Sequence, residues 1–173
     1  AAGSAAAGAA VAHGPAPMPA TMAELPTTDA AIALGNVDAQ LLGYEEALKR
    51  TAGTPDSLDW LLRLAGLYDA RGQALGRIAD YERAAALADE AVRLLPHSGD
   101  ALLARAAARA RFHRFVEAGA DLDAAAARGA PPDRVAGARA APLSAAGHEP
   151  EALAIRARLA AAHPTLGTLA AQA

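Results

Sequence analysis

Five histidines, two methionines and a run of arginines are the residues of this chain with the chemistry to bind a metal, move a proton or hold a phosphate. His13, Met18 and Met22 fall in one short stretch, a donor set that suits a soft metal such as copper. No second histidine cluster supports them, and the simpler reading is incidental residues in a leader; no metal and no cofactor is expected. His97 and His163 sit beside prolines and His113 and His148 in predicted turns, without the i, i+4 spacing that puts two ligands on one helix face. They read as exposed turn residues, some near helix C-termini where positive charge is favoured. Arg105, Arg109, Arg111 and Arg114 have the charge for phosphate or RNA, but Glu117, Asp121 and Asp123 follow at once. A neutralised, solvated surface is the expectation there. No serine stands in a nucleophile elbow, and the GTPDS stretch lacks the lysine of a phosphate loop. With no acid, base and nucleophile converging, the chain reads as a non-enzyme.

The elements that position these residues follow from composition. Of 173 residues 53% are apolar but only 3% aromatic, so the core must be Ala and Leu on closely spaced helices. A net charge of −3 and a pI near 5.9 give no basic face for nucleic acid. Lys49 is the only lysine, and the wealth of Arg, Ala, Gly and Pro looks like a GC-rich bacterial genome. The absence of cysteine removes disulfides and thiolate chemistry. A first residue of Ala suggests an exported chain that has lost a signal peptide, hence a periplasmic or extracellular protein, with the cytoplasm as the alternative. No apolar run reaches the roughly 18 residues a membrane span needs.

The organising pattern is a repeat. Small residues at Ala84, Ala118 and Ala152 recur every 34 positions, and Pro96, Ala130 beside Pro131, and Pro164 end segments in the same phase. A period of this length marks an array of helix pairs, each stacked on the next.

In chain order, residues 1–27 are an Ala/Pro-rich leader, broken by Pro15, Pro17, Pro19 and Pro26, and are expected to be extended or disordered. Residues 28–53 form a packing helix with the stripe Leu34, Val37, Leu41, Tyr44 and Leu48, and Thr28 as its cap. Residues 54–173 are the repeat domain. Asp56 or Ser57 caps its first helix, which should end at Gly72; Trp60 reads as an inter-helix filler. A helix over 75–95 buries Ile78, Tyr81, Ala85, Ala88, Val92 and Leu95 and leaves Arg77, Asp80 and Arg83 solvated. Ser98 or Asp100 then caps 101–111, and 115–128 closes at Gly129. Pro131 and Pro132 open 133–146, which Pro142 should kink or shorten. The helix 149–163 and a short cap from Thr165 finish the chain.

These residues resemble the tetratricopeptide repeat (TPR) family, with Leu61, Leu64, Ala65, Tyr68, Gly72, Tyr81, Ala84, Ala91 and Pro96 as a first repeat. Leu102, Ala106, Phe115, Ala118, Ala125 and Pro131 match a second, and Ala140, Gly147, Ala152 and Pro164 an eroded third. About seven additional residues, QALGRIA, separate Gly72 from Tyr81. The resemblance implies an all-α fold, an α-solenoid of antiparallel helix pairs with about three repeats behind the packing helix. It also implies a concave face lined by the first helix of each pair, with Asp59, Leu62, Asp69, Asp100, Leu103, Ala107, Arg111 and Arg134 as partner-binding residues. Gly66, Gly137, Ala141 and Ser144 belong to the same transfer, which puts acids at one end of the groove and arginines at the other. Family members that clamp a chaperone's C-terminal carboxylate use Lys, Asn and Arg on this face; Leu62, Leu103 and Gly137 stand there instead, so that activity is not expected. The function implied is a scaffold that binds a peptide or partner protein. The alternative is a structural subunit built into a larger homo- or hetero-oligomeric assembly through the leader.

Overall fold

A computed structural model describes residues 28–162, which form seven helices and no strand: α1 (Thr28–Thr51), α2 (Ser57–Leu75), α3 (Ile78–Leu94), α4 (Gly99–Arg111), α5 (Phe115–Ala127), α6 (Pro132–Ala145) and α7 (Glu149–Ala162). Turns of two to five residues fold each helix back on the one before. α2 with α3, α4 with α5 and α6 with α7 are the tightest pairs, and α2, α4 and α6 also touch in series along one side. This is an α-solenoid, with α1 packed on α2 as its first layer. None of these helices is long and apolar enough to cross a membrane.

The 34-residue recurrence has its cause in packing. Ala84, Ala118 and Ala152 are all buried, and a side chain of one carbon lets the second helix of each pair lie close against the first. Around them Leu61, Leu64, Leu87 and Leu122 are the large side chains sealed most completely. Trp60 fills the seam between α1 and α2, its ring 5.4 Å from that of Tyr44.

Local signals hold at several ends. Ser98 Oγ accepts from the Ala101 N–H at 3.2 Å, so Ser98 rather than Asp100 caps α4. Asp56 stands at the cap position of α2 without a side-chain bond, while the Ser57 hydroxyl donates to the Thr54 carbonyl. Pro132 occupies the first turn of α6, where its missing N–H costs nothing.

Four expectations need correcting. Gly72 does not end α2; the helix runs three residues further to Leu75, and Gly76 stops it in the left-handed region at φ 65°. α3 therefore starts at Ile78, and the extra residues, expected to lengthen either the turn or the second helix of the pair, have lengthened α2 instead. Ile78, placed on the buried stripe, is 67% exposed because it opens α3 at the edge of the stack. Asp80, read as solvated, is buried, since α2 sends Arg71 across to it. Pro142 does not shorten α6, which runs three residues past it to Ala145. The leader 1–27, with His13, Met18 and Met22, lies outside the described residues, as do His163, Pro164 and the cap from Thr165.

Candidate groove on the inner face

α2, α4 and α6 together line a groove of about 670 Å³. Its floor is made of small and aliphatic residues, Leu62, Gly66, Leu103, Ala104, Ala107 and Gly137 among them. The step between first helices, 41 residues from α2 to α4 (Leu62 to Leu103, Gly66 to Ala107) and 34 from α4 to α6 (Leu103 to Gly137), brings these to the same side of the stack. All eight residues transferred from the resemblance, Asp59, Leu62, Asp69, Asp100, Leu103, Ala107, Arg111 and Arg134, line it. Ala141 and Ser144 do not: Ser144 Oγ instead accepts from Arg156 of α7 at 2.9 Å.

Several lining residues were absent from that set, Tyr81 the largest of them. Tyr81 enters from α3 and, among the described residues, is the only aromatic in the wall. Its ring sits under the Arg111 guanidinium at 5.6 Å and against Gly72, where a Cβ would fall 2.9 Å from the ring. The glycine inside α2 is thus explained by a ring, not by a turn. The signal was available in the aromatic following a lengthened helix, but its direction was not.

The groove's charges differ from the expected separation of acids and arginines. Asp59, Asp100 and Asp133 stand in the first turns of α2, α4 and α6, where the helix dipole favours them. Each has a cation: Arg63 for Asp59 at 2.6 Å, Arg134 for Asp100 at 2.7 Å and Arg158 for Asp133 at 3.5 Å. At the other ends of the helices Arg111 grips Asp69 through two bonds of 2.8 and 3.1 Å. That carboxylate holds the Arg111 guanidinium more basic than usual, against a smaller opposing effect of burial. Asp69 to Arg111 and Asp100 to Arg134 each tie one first helix to the next, so the pairs staple the groove's floor. Every charged residue that lines it is neutralised within the chain.

Behind the floor runs a second row that the sequence reading missed. Arg71, Arg105 and Arg139 recur every 34 residues on α2, α4 and α6 and point toward the second helices. Arg71 holds Asp80 by two bonds of 2.9 and 2.8 Å and reaches Asp38 of α1 at 2.6 Å. Arg105 holds Asp121 by bonds of 2.9 and 2.7 Å, Asp121 also accepts from Arg109 at 2.6 Å, and Arg139 reaches back to Asp123 at 2.7 Å. Arg105 and Arg109 are therefore committed to a buried carboxylate rather than displayed to solvent; the expected neutralisation is there, but the solvation is not. The Arg71 guanidinium holds the Asp80 carboxyl below its usual range, more strongly than burial raises it. Tyr68, one of the resemblance's residues, donates to Glu45 at 2.6 Å; burial and that carboxylate push its phenol up.

Among the described residues the histidines do not assemble. His97 Nδ1 lies 3.2 Å from Arg128, and His113 occupies the turn before α5 at φ 58° with its ring edge-on to Phe115. Among the described residues no three His, Asp or Glu side chains come together as a metal-holding group.

No protein-family model matches the chain, and no curated protein matches it. Among solved structures it is similar to a thermophilic TPR protein of Thermus thermophilus, at 23% identity and a TM-score of 0.62, over 82% of this chain and 73% of that one. The fold is that of a TPR solenoid.

Proposed function

We propose that this chain is a non-catalytic docking scaffold whose inner groove takes an extended segment of a partner protein. The observation that carries the reading is the floor itself. Three first helices line one open channel, with Leu62 of α2 and Leu103 and Ala107 of α4 along it, and Gly66 leaves open space for a backbone to lie close. An extended chain recognised through alternate side chains and main-chain groups is the kind of ligand that such a channel fits. Because the Asp and Arg groups along the channel already satisfy one another, the segment it takes is mainly uncharged; a ligand carrying a full charge would have to break a pair to gain one.

A photoreactive benzoyl-phenylalanine at Ala107, in the groove, compared with one at Ala86 on the outer side of α3, tests the proposal. Cross-linking from Ala107 to one linear segment of a partner, with none from Ala86, is expected. Equal yields from both positions, or a partner joined only at Ala86, would refute it.

A further inference from the structure

We infer that the groove's resident ligand is the chain's own leader: residues within 5–23 lie along the floor and must be displaced before a partner segment enters. The inference rests on the docking reading above and names a competitor for the same site.

Three observations converge on it. The first is charge. Between Ala5 and Ala23 the leader has no Asp, Glu, Lys or Arg, and the groove's own charges are closed among themselves, so neither surface loses an ion's hydration without compensation when they meet. A strongly charged partner segment would lack this match.

The second is shape. The stretch PAPMP alternates proline with small or flexible residues, a pattern that holds an extended left-handed helix at little entropic cost. Segments of that kind dock on grooves that offer an aromatic face. Tyr81 lines this groove, its ring packed against Gly72 with the Arg111 guanidinium over one face. The Ala-rich residues on either side of the prolines are the size that a floor of Leu62, Gly66, Leu103 and Ala107 accommodates.

The third is reach and direction. Asp38 of α1 pairs with Arg71 near the end of α2, so Thr28, ten residues earlier and about 15 Å further along the helix, lies past the Gly76 end. That is the end of α2 near Asp69, where the Arg111 staple and Tyr81 stand. Twenty-seven residues can extend to roughly 90 Å, well over the roughly 36 Å length of α1 itself. The leader thus departs one helix away from the groove, on the Tyr81 side, with ample chain to turn back into it.

The full chain has no cysteine, so an Ala16→Cys variant accepts a single nitroxide spin label. The expected result is paramagnetic broadening of the Leu62, Leu103 and Ala107 amide resonances, with Ala86 and Glu90 on the outer side unaffected, and no change on tenfold dilution. Adding Gly66→Arg, at a position where an added side chain has open space, fills the groove without disturbing the core and should abolish the broadening. Groove resonances untouched by the label would overturn the inference. So would broadening that fades on dilution, which would assign the groove to a second copy of the chain. If the label leaves the groove untouched while a partner segment still cross-links at Ala107, the leader's role falls and the docking role stands; if both experiments are blank, both fall.

Discussion

Arg105 and Asp121 face each other through two bonds of 2.9 and 2.7 Å across the α4–α5 turn, and they stand one repeat on from Arg71 and Asp80, joined by bonds of 2.9 and 2.8 Å. All four side chains are largely withdrawn from water. A forked guanidinium meeting a carboxylate edge-on is the geometry that offsets desolvation best. Removing one partner leaves the other charge buried and unanswered.

Asp121→Ala should therefore cost about 4 kcal/mol of folding stability and Asp80→Ala about 3 kcal/mol. Asp121 answers two arginines, whereas Arg71 keeps Asp38 when Asp80 is lost. Urea unfolding followed by circular dichroism measures both, and the reverse order would show that Asp38 does not sustain Arg71 once Asp80 is gone.

Acid provides a second view of the same pair. The folded pKa of Asp80 is depressed below its unfolded value, chiefly by the hydrogen bonds from Arg71. The stability this contributes is present above the ordinary carboxylate range, about pH 4, and is lost as the pH falls through the lower folded value. Asp80→Asn should flatten the fall in stability below about pH 4; a slope identical to that of the parent protein would show that other carboxylates govern acid unfolding.

Gly72→Ala sets two effects against each other. Alanine gains about 1 kcal/mol in a helix, while forcing a methyl to 2.9 Å from a packed ring costs about 2 kcal/mol. The net is a loss of about 1 kcal/mol. In a Tyr81→Ala background the clash disappears, and the same substitution should stabilise; a loss in both backgrounds would place the strain elsewhere than the ring.

Stability should decline along the stack. α3 buries six residues and α7 only two, so the third pair has less to hold it, and neighbouring layers in a solenoid are coupled only to each other. Amide hydrogen exchange should be faster in α7 than in α3. Equal protection would mean that the stack opens as one unit.

The period was legible because close helix contact demands the same small residue at each layer, and Ala84, Ala118 and Ala152 state that demand openly. The site's membership was legible for the same reason: Leu62, Leu103 and Ala107 inherit their side of the helix from the repeat. Charge pairing was not legible. Asp69 meets Arg111 across 42 residues and Asp100 meets Arg134 across 34, distances at which a local run of charges says nothing about partners. Asp80 and Asp121 looked like solvated residues because a buried carboxylate has the same letter as an exposed one. A signal did exist for their arginines, the spacing of Arg71, Arg105 and Arg139, but it matters only once the helices are known to face one another. Gly72 misled for a different reason: a glycine at a close approach and a glycine at a helix end read alike.

The closed ion pairs of the inner groove also bear on time. A channel whose acids and arginines have already met projects little field into the solvent, so an incoming segment is not drawn toward it from a distance. Its capture should proceed at the unsteered rate of about 10⁵–10⁶ M⁻¹s⁻¹. Stopped-flow association at 20 mM and 500 mM sodium chloride should give nearly the same rate constant, and a steep fall with salt would reveal a charged encounter surface outside the groove. A partner chosen this way is selected by how long it stays rather than by how fast it arrives.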